Sequence, residues 1–332
     1  MANKKPTPKV GLLQNIDEKV TPDMPSTEFE LQYNPLVAGH IDDAKIDEHI
    51  KDIDISKTPL SVVVKNVDLL SPEEFTLARR NGFGASDSSI LMGVNPYSNL
   101  DDLIKQKASG GLSEEEKAIS LKVAVRKGND LEPLVIEKAS KILNQEIIKP
   151  KDMYKFTAHP YMTLNFDGVI NDPKQYVPCE IKVATKWGQK HYNPSKAVFS
   201  EQMGWKDLPQ DVSMQNMSIE SKAAAYGIPP YYYTQVQVEI MACNAPYGYL
   251  ACIFDADWIV HIFMIWKDTT VQNDILINAY KAWQKVEALR WQNQKAGTVS
   301  ILTEQSPSIQ SGKDQTTSVI QYQPQSKSSN DY

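Results

Sequence analysis

Asn165-Phe166-Asp167-Gly168-Val169-Ile170, followed by Cys179-Glu180-Ile181-Lys182, are the two segments on which the fold turns. Both have the composition of strands. Asn171-Asp172-Pro173-Lys174 between them is turn chemistry, so Tyr161–Ile170 and Tyr176–Val183 are expected to form a hairpin or a neighbouring pair. Strand side chains alternate between faces, which puts Glu180 and Lys182 on one side and Ile181 in the core. A short hairpin brings Asp167 beside Glu180. Two carboxylates at one point repel unless a cation lies between them. Oxygen donors without nearby His or Cys favour Mg²⁺ or Mn²⁺ over Zn²⁺. A lysine next to such a pair can hold a water or neutralise a phosphate oxygen, and metal plus ammonium suits phosphodiester hydrolysis. On its own the pattern is weak evidence, because Glu-x-Lys on an exposed strand is commonly a solvated ladder.

Outward from this pair, Ser71-Pro72-Glu73-Glu74 reads as a helix start with a serine N-cap, Pro at N1 and Glu at N3. That helix is expected to run to Arg80. Further helices are expected after Ser86 or Asp87, over Leu100–Ala108, and behind the capping pattern Ser113–Glu116. The last of these reaches Lys127, bends at Gly128 and Pro133, and resumes to Leu143. C-terminal to the pair, the pattern predicts helical stretches near Lys196–Gly204 and Ile219–Tyr226. A buried helix is expected over Tyr233–Cys243, an antiparallel pair over Gly248–Phe254 and Trp258–Trp266, and an amphipathic helix over Val271–Arg290.

Composition narrows the class. The chain has 332 residues, 41% hydrophobic and 23% charged, which excludes disorder throughout. No apolar stretch is long enough to cross a membrane, and Met1–Val20 lacks a secretory apolar core. Three cysteines without a C-x-x-C exclude a disulfide scaffold and a zinc ribbon, and fit a reducing cytosol. The net charge of −6 excludes a histone-like coat but not a locally basic channel. Residues 1–70 read as a partly disordered extension, and the Ser/Gln/Thr-rich residues 303–332 as a disordered tail. The five histidines have no metal-ligand spacing. Tyr231–Tyr233 could stack on bases, although three aromatics before an apolar helix are more often core.

Several blocks precede and follow the carboxylate pair in order: Arg80-Asn81-Gly82-Phe83-Gly84-Ala85-Ser86, then Lys127-Gly128-Asn129-Asp130-Leu131-Glu132-Pro133, and later Tyr232-Tyr233-Thr234-Gln235-Val236-Gln237. With Asp167-Gly168 and Glu180-Ile181-Lys182 they make five ordered blocks, and the sequence here resembles the YqaJ-type viral recombinase family, which includes phage lambda exonuclease. Phe83 departs from the family's aliphatic residue, and Phe166 stands where the motif Asp is usually preceded by Pro. The resemblance covers about residues 70–290.

What the resemblance implies is an α/β fold, a PD-(D/E)xK nuclease core with a mixed central sheet flanked by helices. The domain would span residues 71–302. Glu132, Asp167, Glu180 and the Ile181 carbonyl would bind metal, two Mg²⁺ ions with Mn²⁺ as a substitute, and Lys182 would sit at the nucleophile. Arg80, Ser86 and Gln235 fall on family positions that contact a DNA 5′-phosphate, and Asn165, at a position where lambda exonuclease has Ser, would join them. Ser86 is equally readable as a helix cap. The segment 187–228 is longer than its counterpart and reads in part as an insertion. The implied activity is 5′-to-3′ digestion of linear double-stranded DNA, leaving 3′ overhangs and 5′-mononucleotides, in the cytoplasm of a bacterial host. The implied partners are DNA ends, a single-strand annealing recombinase and two further copies in a trimeric ring. The alternatives are an endonuclease or single-strand nuclease of the same fold, and a non-catalytic DNA-end-binding protein.

Overall fold

The computed structural model describes residues 60–110, 113, 123–172 and 175–304. The expectations for residues 1–59, for the helix start at 114–122 and for the tail beyond 304 lie outside these residues. The strands are β1 (Leu60–Val64), β2 (Ile147–Ile148), β3 (Met153–Phe156), β4 (Thr163–Leu164), β5 (Val169–Asp172), β6 (Gln175–Ala184), β7 (Phe199–Ser200), β8 (Gly204–Trp205), β9 (Tyr247–Phe254) and β10 (Val260–Trp266). The α-helices are α1 (Pro72–Ala78), α2 (Ser88–Leu91), α3 (Leu100–Ala108), α4 (Val123–Leu143), α5 (Lys186–Gln189), α6 (Ile219–Tyr226), α7 (Pro230–Cys243) and α8 (Thr269–Glu304).

A seven-stranded sheet in the order β2-β5-β6-β9-β10-β7-β8 forms the centre. Strands β6 and β9 run parallel, with Glu180 opposite Leu250 and Lys182 opposite Cys252, while the other pairs are antiparallel. The sheet is therefore mixed, as expected. Its two faces carry separate apolar layers. Val177, Cys179 and Ile181 of β6 join Val135 and Ala139 of α4 on one face. On the other, Val236 and Ile240 of α7 pack with Leu250, Phe263 and residues of α6 and α8. Helices thus cover both sides of the sheet.

The local signals explain most boundaries. Ser71 accepts from the Glu74 amide, and Glu74 returns the bond to the Ser71 amide at 2.8 Å, so α1 starts with a reciprocal cap. α3, α6 and the β9–β10 pair fall where the pattern placed them. Three expectations are overturned. Gly128 and Pro133 do not interrupt α4, which continues through both. The stretch near Lys196–Gly204 is not helical. A 3₁₀ turn at Pro194–Lys196 leads into β7, whose Phe199 and Ser200 pair with Ile262 and His261 of β10. Sheet-edge pairing supersedes helical periodicity there.

Tyr161–Ile170 is not one strand either. β4 pairs with β3 in a separate three-stranded sheet, and β5 pairs with β6 in the large one. Asp167 lies in the crossing between the two. Gly168 is required at this crossing. A Cβ there would meet Ile147 Cγ2 at 2.6 Å and the Cys179 carbonyl at 3.1 Å, while the Gly168 carbonyl accepts from the Cys179 amide at 2.9 Å. Gly82 has the same function at the other end of β4. A Cβ would clash with Thr163 at 2.7 Å, and Phe83 exchanges backbone bonds with Tyr161 and Thr163.

Candidate active site

Strand alternation turns Glu180 and Lys182 toward α7, the helix that covers that face. Lys182 Nζ reaches Asp167 Oδ2 at 3.2 Å and forms an ion pair with Glu180 Oε1. The Ile181 amide also faces Asp167 Oδ2, at 3.4 Å. Glu180 is wholly buried, whereas Asp167 and Lys182 keep 30% and 22% of their side-chain surface open. The solvent side of the group is thus Asp167 and the ammonium.

Helix α7 supplies the remaining contacts. Gln235 Nε2 donates to Glu180 Oε1 at 2.5 Å. One turn further, at i+4, the buried Glu239 carboxyl lies against Glu180. Burial, followed by the Asp167 charge, pushes the Glu180 carboxyl up to about 7. Burial and then Glu180 raise Glu239 well above the usual carboxylate range. Asp167 is different: burial opposes its charge, but Lys182 and the hydrogen bonds around it hold its carboxyl below the ordinary value. Lys182 is held well above its own, because the two carboxylates outweigh burial. It is an ammonium at neutral pH, a donor and not a base.

The donor chemistry fits a hard divalent cation. Asp167 and the buried Glu180 present carboxylate oxygens side by side with the Lys182 ammonium between them, the donor type that such a cation takes. Among the described residues no group of three or more His, Cys, Asp or Glu side chains forms a preformed metal cage. Glu132 is on α4, where Lys149 holds its Oε1 at 2.5 Å. The structure does not bring it onto the Asp167–Glu180 pair.

The expected phosphate group is rearranged. Arg80 is 4% exposed, and its Nη1 donates to the Ser109 carbonyl and hydroxyl at 2.9 Å each, holding the C-terminal end of α3. The neighbouring Arg79 reaches Ser86 instead, Nη2 to Oγ at 3.0 Å. Asp87, not Ser86, accepts the Gly84 amide as the local cap, and Lys107 pairs with Asp87 at 2.7 Å. The Ser86 hydroxyl is therefore exposed beside a guanidinium. Asn165 donates weakly to the Asp152 carbonyl at 3.5 Å. Helix α7 packs on both β6 and the Ala85–Leu91 segment, so it joins the Ser86 region to the carboxylates.

Sequence reasoning missed Arg79 and Glu239. The Arg79-Arg80 tandem left the choice of arginine to the turn geometry. A lone acid within the apolar run of α7, four residues after Gln235, was the available signal for Glu239.

A model of the YqaJ-like viral recombinase domain matches residues 74–245, more than half of the chain. The chain belongs to this family. Its structure is similar to that of an alkaline exonuclease from Laribacter hongkongensis, at 16% identity over 68% of this chain and 99% of that one, with a TM-score of 0.44. A phage-related exonuclease from Haemophilus somnus 129PT is similar at 12% identity over 65% and 96%, with a TM-score of 0.36. No curated protein matches the chain. No helix among the described residues is long and apolar enough to cross a membrane.

Proposed function

We propose that this protein is a divalent-metal-dependent exonuclease that removes 5′-mononucleotides from linear double-stranded DNA and leaves 3′ overhangs. The observation that carries the reading is Lys182 bridging Asp167 and Glu180 at the partly open end of a buried acidic group. Asp167 and Glu180 would hold Mg²⁺ or Mn²⁺, with the Ile181 carbonyl beside them and Glu132 as a further ligand if released from Lys149. The bound metal would supply Lewis-acid charge and a more acidic water.

The chain's own residues do the rest. Lys182 stays protonated and gives one hydrogen bond to each carboxylate, and the third N–H of its ammonium can go to a phosphate oxygen or water. It then steadies charge on the phosphoryl oxygens. Gln235 keeps Glu180 oriented toward the reacting phosphate. In-line attack by water expels the 3′ oxygen of the terminal nucleotide, which departs with its own 5′-phosphate, and the attacked phosphate stays on the shortened strand as its new 5′ end. Arg79 and Ser86 offer a guanidinium and a hydroxyl for a terminal 5′-phosphate, which favours digestion from an end. Family membership supports recombination by strand annealing inside a bacterial host, with a ring of three copies and an annealing protein as partners.

The test uses linear duplexes with 5′-phosphate or 5′-hydroxyl ends, with Mg²⁺ or EDTA, beside a closed circle. Acid-soluble nucleotides released from linear DNA only, in Mg²⁺ only, and faster from 5′-phosphate are expected. Cutting of the circle would replace the reading with an endonuclease, and release of nucleotides from the 3′ end would reverse its direction.

A further inference from the structure

Three tyrosines open α7, and each meets a different environment. Tyr233 is fully buried and donates to Asp268 at 2.8 Å, a core contact. The Tyr232 ring lies under the Lys182 ammonium, 5.5 Å from its centroid, and Tyr192 backs it at 6.2 Å. Tyr231 sits edge-to-face on Tyr232 at 4.5 Å, and Tyr97 sits edge-to-face on Tyr231 at 5.9 Å. An aromatic file therefore leads from the reacting lysine to the surface in three steps, each under 6 Å.

Its outer member is presented deliberately by the backbone. Asn95 Oδ1 accepts from the Tyr97 and Ser98 amides at 2.8 and 3.1 Å, and Asn95 Nδ2 donates to Ser89 Oγ at 2.8 Å. The turn is thus pinned to α2, directly after the Ser86 hydroxyl. Yet Tyr97 is 76% exposed. The ring is thus tied to α2 through its backbone and rests on Tyr231, while most of its surface is open.

We propose that Tyr97, backed by Tyr231, is a stacking platform for a nucleobase of the strand whose phosphate lies at Lys182, within about five nucleotides of the reacting bond. The proposal rests on the nuclease reading and adds to it a base-contacting site. A nucleobase is the occupant favoured by continuity: the file begins at the ammonium proposed to face the phosphate, and the turn that carries Tyr97 is bonded to Ser89, three residues after Ser86. Stacked bases rise 3.4 Å per nucleotide along a strand, so a file of three steps, each under 6 Å, puts Tyr97 within about five nucleotides of the phosphate at Lys182. Every base has a π-face, so the contact is indifferent to sequence, as digestion from arbitrary ends requires. The edge-to-face packing of Tyr97 on Tyr231 fixes the ring plane and lowers the entropy lost when a base lands on it.

The experiment compares wild type, Tyr97→Ala, Tyr97→Trp and Tyr231→Ala on 5′-phosphorylated duplexes in Ca²⁺ for binding and in Mg²⁺ for kinetics. 2-Aminopurine is placed singly at each of the first six nucleotides from the 5′ end. In wild type its fluorescence is expected to be quenched at one or two of these positions. Tyr97→Ala should remove that quenching and raise Kd and KM roughly five- to hundredfold, the range for one lost base stack. Tyr97→Trp should restore both. Circular dichroism controls for folding, and the exposed Tyr97 variants report on the platform even if Tyr231→Ala misfolds. Quenching and Kd within twofold of wild type in Tyr97→Ala would overturn the platform while leaving the nuclease reading intact. A change in oligomeric state with DNA affinity unchanged would overturn it in favour of a subunit contact. A wild type that neither binds nor digests duplex DNA would fail the nuclease reading itself.

Discussion

Removing the Glu180 charge should make the metal-free protein less sensitive to pH. Glu180 is wholly buried, and burial together with Asp167 raises its pKa from 4.5 to about 7. The folded protein therefore binds this proton more tightly than the unfolded chain. The resulting stability is fully present below about pH 4.5 and is lost as the pH rises through about 7. At about 1.36 kcal/mol per pKa unit, the loss is about 3 kcal/mol, on the order of 6–12 °C in Tm for a domain of this size. Glu239 lies against Glu180 and is raised too, so the two acids titrate as a pair and Glu180→Gln relieves both. Other groups tilt the same window. His261 is lowered by burial, and its neutral form favours folding as the pH rises through the histidine range. Asp167 is lowered and acts only at more acid pH. The quantity to measure is therefore the difference between wild type and Glu180→Gln, in which these contributions cancel. Urea unfolding in EDTA at pH 5, 6.5 and 8, followed by tryptophan fluorescence, should show wild type losing stability relative to the variant across the series. Saturating Mg²⁺ should stabilise wild type more at pH 8 than at pH 5 and the variant little at either. A difference constant within about 0.5 kcal/mol from pH 5 to 8 would refute the buried, raised acid and the cation site argued from it.

Asp167→Ala, Glu180→Ala and Lys182→Ala should each abolish Mg²⁺-dependent hydrolysis while circular dichroism stays native, and near-wild-type rates in any of them would move the site elsewhere. Arg79→Ala should erase most of a ten- to hundredfold preference for 5′-phosphate over 5′-hydroxyl ends, the worth of about 1.5–3 kcal/mol for a charge-assisted bond. Arg80→Ala should instead lower stability by loosening Ser109; loss of the preference in Arg80→Ala alone would return the phosphate role to that residue. Asp268→Ala strands Lys222 in the core, where the two pair at 2.7 Å, and frees the Val271 amide that Asp268 caps. Its urea stability should fall by about 3–5 kcal/mol, and the double variant Lys222→Met/Asp268→Leu should recover part of it.

Much of the geometry of the strand pair that carries the candidate site was legible in the sequence because it depends on local rules. Alternation alone puts Glu180 and Lys182 on one face, and the Asp-Gly crossing before a turn brings Asp167 to them. Ser71 and Glu74 cap α1 through bonds three residues apart, which spacing can reveal. The ordered blocks added the family. What spacing could not reveal were contacts across elements. The face carrying Glu180 is closed by α7, and only that packing turns a strand carboxylate into a buried acid paired with Glu239. Whether Arg79 or Arg80 reaches Ser86 depends on the 3₁₀ turn Arg79–Asn81, where successive side chains point in different directions. Near Lys196–Gly204 the local pattern indicated a helix, and an open edge of β10 took the segment as a strand. In each case the deciding energy comes from burial and hydrogen bonding between residues far apart in sequence, which periodicity along one segment does not encode.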